Sequence, residues 1–190
     1  MACSLTAGRL DFSCKTLIGG ISNIYVAEFA EGNFIPVAEG SHKVKVATEG
    51  NENTQVPTLY QFELLNDGNT FEETNEVAKD AGTSIVTQTG TFVLKGQDDL
   101  SQNALKNLSK VRTQVVVEYR DGSKRVAGLD FGAHFTVGTT SGGAIGDMVG
   151  YNVAFTAMSA NLAPFLEGAI TSSSNIVDPV GDPITDGSED

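Results

Sequence analysis

His42 and His134 are the two histidines of the chain, and histidine is the side chain most readily put to proton transfer or metal binding near neutral pH. Neither has an acid, a cysteine or a second histidine at ligand spacing, so both are expected at the surface or at a pocket edge. A serine nucleophile of the hydrolase type would sit in a Gly-x-Ser-x-Gly elbow, which the sequence lacks. Gly142-Gly143 and Gly146 supply the glycines of a phosphate loop, but Asp147 and Met148 stand where Lys and Ser or Thr should follow. Cys3 and Cys14 match no zinc or redox spacing, and two reduced thiols are expected. The carboxylates between Asp67 and Asp80 would need a fixed geometry to act as a cation site or a glycosidase pair, and a solvated acidic surface is the simpler expectation. Asp178, Asp182 and Asp186 lack the central Gly and terminal Glu of an EF-hand loop. The residues therefore predict no catalytic centre, no metal, no cofactor and no enzyme.

The charge balance excludes a further class. With 24 acidic against 12 basic residues the formal net charge is -12, a field opposed to any surface built to neutralise phosphates. No apolar run approaches the roughly 20 residues of a membrane span, and the N-terminus lacks the pattern of a secretion signal. The densest basic region is Lys106, Lys110, Arg112, Arg120, Lys124 and Arg125. It is expected either as a solvated face or as a positive region that meets acidic surface on another copy of the chain and fixes register between subunits. Asn66, Asp67, Glu72, Glu73, Glu76 and Asp80, in an acidic excursion with little large apolar surface, are the matching expectation for contacts between subunits.

These groups must be carried by strands. A chain of 190 residues suits one core, and the absence of Trp with 21 glycines fits many strands and turns. The expected fold is mainly β, a β-sandwich or partial barrel with one flanking α-helix, an extended loop and terminal arms. Residues 1–18 are expected as an N-terminal arm, 19–168 as the β-domain and 169–190 as an acidic flexible tail, since six acidic and no basic residues follow from Glu167 onward.

Tyr60 to Leu64, the turn residues 66–69 and Thr70 to Glu72 predict a hairpin. Ile85, Thr87, Thr89, Thr91 and Val93 alternate strictly, predicting a strand over 84–94. Leu100, Ala104, Leu105 and Leu108 form the apolar stripe of a helix over 100–110, capped by Asp98 or Asp99. Val115 to Tyr119, the Asp121-Gly122 turn and Val126 to Leu129 predict a second hairpin, and two strands follow near 133–140 and 151–158.

The stretch from Asp98 to Phe165 resembles the C-terminal half of phage tail tube proteins. The residues that carry the likeness are the helix over 100–110, the strand Val115 to Tyr119, the turn Asp121-Gly122, Gly128, the run Gly146-Asp147-Met148-Val149-Gly150-Tyr151-Asn152-Val153-Ala154-Phe155-Thr156, and Ala163-Pro164-Phe165. The opening, from Met1 to Arg9 and on through Cys14-Lys15 to Gly19-Gly20-Ile21, is similar to the start of structural proteins of some phages. The resemblance implies a virion protein, made in the bacterial host cytoplasm, whose partners are itself and other tail proteins. Six-membered rings would stack into a tube through which DNA passes without specific binding, as in the related tubes of contractile injection and type VI secretion systems. Strands near 60–77, 84–94, 133–140 and 151–158 would build the ring wall. A capsid-decorating or head–tail connector protein is the alternative from the same structural class, and a carbohydrate- or small-ligand-binding β-domain is a third.

Overall fold

The computed structural model describes residues 18–39, 41–48, 56–64, 68–78, 80, 82–170 and, as backbone alone, 176–177. All of the expected arm over 1–18 except Ile18, both cysteines and most of the expected tail over 169–190 lie outside the described residues, as do Asn66 and Asp67.

Three valines in succession mark the centre of the molecule. Val115, Val116 and Val117 are wholly buried on the central strand Thr113–Tyr119, so that strand has apolar partners on both faces, as a consecutive run of β-branched residues demands. Among the described residues, twelve strands and one helix follow one another as β1 (Ile21–Glu28), β2 (Phe34–Pro36), β3 (Lys43–Val46), β4 (Leu59–Glu63), β5 (Thr70–Ala78), β6 (Thr83–Lys95), α1 (Asp99–Leu108), β7 (Thr113–Tyr119), β8 (Lys124–Ala127), β9 (Ala133–Thr140), β10 (Gly150–Ser159), β11 (Phe165–Leu166) and β12 (Ile176–Val177).

The antiparallel hairpin β7–β8 turns at Gly122, whose φ of 82° suits glycine, and Asp121 Oδ1 accepts from Ser123 N at 2.8 Å and Ser123 Oγ at 2.6 Å. On its other edge β7 pairs with β1, which pairs with β4. Beyond β8 come β11, β3 and β2. Two residues of the segment expected as a tail, Ile176 and Val177, run parallel to Leu59 and Tyr60.

The second half is an antiparallel sheet in the order β9, β10, β6, β5. It joins the first at one pair, Thr113 opposite Ala133. The sheet is not closed into a barrel among the described residues, and the two halves share a core. Ile24, Val26, Val115 and Val117 from the first half pack in one cluster with Phe92, Phe135, Val153 and Phe155 from the second. The other face of β1 and β7 packs Tyr25, Ala27 and Val116 against Phe34, Val44, Leu59, Val126 and Leu166. The architecture is mainly β with one helix, as the sequence predicts.

Leu105 of α1 is buried in the shared core with Leu108 packed against it, and Asp98 caps the helix by accepting from Ser101 N at 2.9 Å. That hydrogen bond and the Ser101 side chain hold the Asp98 carboxyl below its ordinary pKa.

One expected pairing is overturned. The predicted hairpin between Tyr60–Leu64 and Thr70–Glu72 does not exist: β4 pairs with β1, and β5 pairs with β6 over its whole length. The expected extended loop over 66–82 is largely strand. Two separate burial demands explain this. Leu59 and Leu64 are buried within the first half, whereas Phe71 stacks on Phe155 of β10 with ring centroids 6.0 Å apart. The chain between them crosses from one half to the other.

Candidate assembly surfaces

Strand parity divides β6 cleanly. Val86, Gln88, Gly90 and Phe92 are buried, while the β-branched set at the odd positions faces outward. Gly90 is required on the inner side, because a Cβ there would collide with the Phe155 ring. Cross-strand registers extend the outer face over four strands: Glu72 lies opposite Thr89, Thr89 opposite Thr156, and Thr156 opposite His134. The row beside it runs Thr70, Thr91, Ala154, Thr136, and Thr70 Oγ1 and Thr91 Oγ1 are 2.8 Å apart. Threonine dominates this face, Glu72 and Glu76 supply carboxylates, and Lys95 at its end is the only Lys or Arg on it among the described residues.

Among the described residues neither outer edge of this four-stranded sheet is paired with a further strand along its length, although α1 approaches β9. β5 ends the strand order, and β9 beyond Ala133 has no strand on the side away from β10. Exposed edges of this kind present unpaired backbone N–H and C=O groups and are templates for another strand.

The acidic excursion splits into an anchored and a projecting part. Glu73 faces inward with its side chain 8% exposed, and Arg125 Nη1 stands 2.7 Å from its Oε2. Its Oε1 accepts from Ala163 N at 2.6 Å and from Gln88 Nε2 at 3.3 Å. The buried Gln88 in turn accepts from Gly128 N at 3.0 Å. One carboxylate therefore ties β5, β6, β8 and the segment before β11 together. Beyond the last pair of β10 with β6, Ser159 opposite Val86, only β5 and β6 continue, with Val77 68% and Ile85 43% exposed. Glu76 and Asp80 are exposed in this projecting part.

Four of the basic residues have local partners of their own. Besides Arg125, which also lies over the Phe165 ring at 4.6 Å, Lys124 pairs with Glu118 at 3.0 Å. Arg112 stacks over Phe29 at 3.6 Å, and Arg120 lies against Gly20, its N–H donating to the Gly20 carbonyl at 3.1 Å. Lys106 and Lys110 are exposed on and just after α1.

Glu118 anchors a network that the sequence reading missed. It accepts from Asn23 Nδ2 at 2.7 Å and Tyr25 OH at 3.0 Å. Burial pushes its pKa up, but the hydrogen bonds from Asn23, Lys124 and Tyr25 outweigh this and leave it lowered. Burial, then the Glu118 charge and hydrogen bond, push the Tyr25 hydroxyl well above its ordinary range. The Glu118–Lys124 pair follows from a turn centred on Asp121-Gly122, which places those positions opposite one another. Gln88 left a fainter signal, a polar residue on the parity of Val86 and Phe92.

A groove of about 380 Å³ lies between β4, β6 and α1, lined by Phe62, Leu94, Lys95, Ala104, Leu105 and Tyr151 among others. His42 and His134 are both exposed. Among the described residues no three His, Cys, Asp or Glu side chains come together as a metal site, and no helix is long and apolar enough to cross a membrane. Comparison with protein-family models, with curated proteins and with solved structures yields no match to this chain.

Proposed function

We propose that this chain is a structural subunit that joins copies of itself edge to edge into a ring around a channel, and that such rings stack as the tail tube of a phage virion. The observation that carries the reading is the four-stranded sheet β9-β10-β6-β5, open at both edges and bare of Lys and Arg between its ends. Its strands alternate in direction, so under rotational symmetry β5 of one copy meets β9 of the next antiparallel. The ladder then continues around the ring with the same pattern that it has inside each subunit. Closure removes both edges.

Facing the outer side of the sheet inward gives the channel a wall of threonine hydroxyls and carboxylates. Duplex DNA carries one negative charge per ~1.7 Å, and a wall of this composition repels it and gives it no site at which to stick. The projecting end of the β5–β6 hairpin, with Val77 and Ile85 exposed, is the element that reaches an adjacent ring. The protein is then no enzyme, and other tail proteins are its partners at the ends of the tube.

Negative-stain microscopy of the purified full chain tests this reading. Hollow fibres with a regular ring repeat are expected. Solid particles or lone subunits at high protein concentration would sink it, and isolated discs that never stack would favour the decorating or connector alternative.

A further inference from the structure

The two open edges differ in charge. On the outer face, β5 presents Glu72 and Glu76 among threonines, while β9 presents His134, Thr136, Gly138 and Thr140. No carboxylate lies on β9, and no basic residue on β5. Parity restricts how such edges can meet, because a register that keeps both outer faces on one side must oppose even-numbered residues of β5 to even-numbered residues of β9. His134 belongs to that set, and within one subunit it lies in the same cross-strand row as Glu72. A ring without stagger brings His134 of one copy opposite Glu72 of the next, and a stagger of four residues toward the projecting end, of the kind that accompanies tilted strands, brings it opposite Glu76 instead.

We propose that the junction between copies contains a His134–carboxylate pair, made with Glu72 or Glu76 of the adjacent subunit, and that protonation of His134 strengthens assembly as the pH falls. This rests on the edge-to-edge reading above and names the residues that set its register. Within its own subunit His134 faces Thr156 across β10, with Ala154 and Met158 diagonal to it and Thr136 next along β9. α1 packs from the core side through Leu105 and Leu108, in one cluster with Phe135 and Val137. No charged group of β9 or β10 shares the outer face with it, so the carboxylates of a neighbouring β5 are the partners that edge pairing supplies. A cross-strand pair of opposite charge is a modest contact, worth roughly two- to fivefold in association per junction, and the effect compounds around a closed ring.

The test measures self-association of the full chain by sedimentation between pH 7.5 and 6.0, above the carboxylate range, with His42→Gln as control for the other histidine. Association that strengthens at the lower pH in wild type and in His42→Gln, is flat in His134→Gln, and is strong and flat in His134→Lys is the expected result. One of Glu72→Gln and Glu76→Gln should abolish the pH response, and which one does so reports the register. Wild type that assembles equally at both pH values, or His134→Gln that keeps the response, overturns the pair and leaves the ring reading standing. Wild type that assembles at neither pH overturns both.

Discussion

The two halves of the β5–β6 hairpin share one ladder and differ in almost everything else. In the anchored half, Phe71 stacks on Phe155 and Glu73 holds Arg125, Gln88 and the Ala163 amide. In the projecting half, Val77 and Ile85 face solvent and no third strand is paired. Apolar side chains left outside a core are expected where a surface meets a partner. Under the proposed reading the same strands serve folding at one end and assembly at the other, and substitutions at the two ends should separate those properties.

The largest effect belongs to the anchored half. Phe155→Ala removes a buried ring that touches Phe71 and Phe135, and a loss of about 3–5 kcal/mol in urea unfolding is expected. A loss below 1 kcal/mol would show that the inner face of this sheet is not a packed core. Glu73→Ala leaves the Arg125 guanidinium, the Gln88 amide and the Ala163 N–H without their acceptor. The expected cost is about 2 kcal/mol, below the figure for a fully buried pair because Arg125 is 30% exposed.

Tyr25→Phe, away from the hairpin, removes one hydrogen bond to Glu118 and should cost about 1 kcal/mol at neutral pH. Its sharper signature is in alkali. The folded-state pKa of Tyr25 is raised above its unfolded value, so its contribution is complete below roughly pH 10 and is lost as the pH climbs toward the folded value. Wild type should lose stability over that range more steeply than Tyr25→Phe, measured as the shift of the unfolding midpoint. Glu118 works in the opposite sense: its folded pKa is lowered, so its contribution is present above roughly pH 4.3 and fades as acid titrates it.

The smallest effect on folding belongs to the projecting half. Val77→Asp with Ile85→Asp should change stability by no more than about 0.5 kcal/mol per site, yet leave rings that do not stack. Normal fibres from this variant would remove the hairpin end from the stacking contact.

Much of this pattern was legible in the sequence where the signal is local. The alternation from Ile85 to Val93 marks β6, the Asp121-Gly122 turn fixes the β7–β8 register, and the stripe from Leu100 to Leu108 locates α1 within a residue or two. Partner choice was not legible. The turn residues 66–69 imply a hairpin with β4, but the strand after them is recruited by Phe155, more than eighty residues away. The partners of the basic residues were hidden for a related reason: Arg125 and Glu73 meet only once β5, β6 and β8 are assembled. The open edges of β5 and β9 have no sequence signature at all, because an edge is defined by the strand that is missing beside it.

The central claim is that those two edges close on neighbouring copies, and amide hydrogen exchange tests it most directly. Comparing dilute subunits with assembled protein, the account predicts that backbone amides of β5 from Thr70 to Ala78 and of β9 from Phe135 to Thr140 gain protection together on assembly. Assembly that leaves both strands exchanging as in the lone subunit would contradict it.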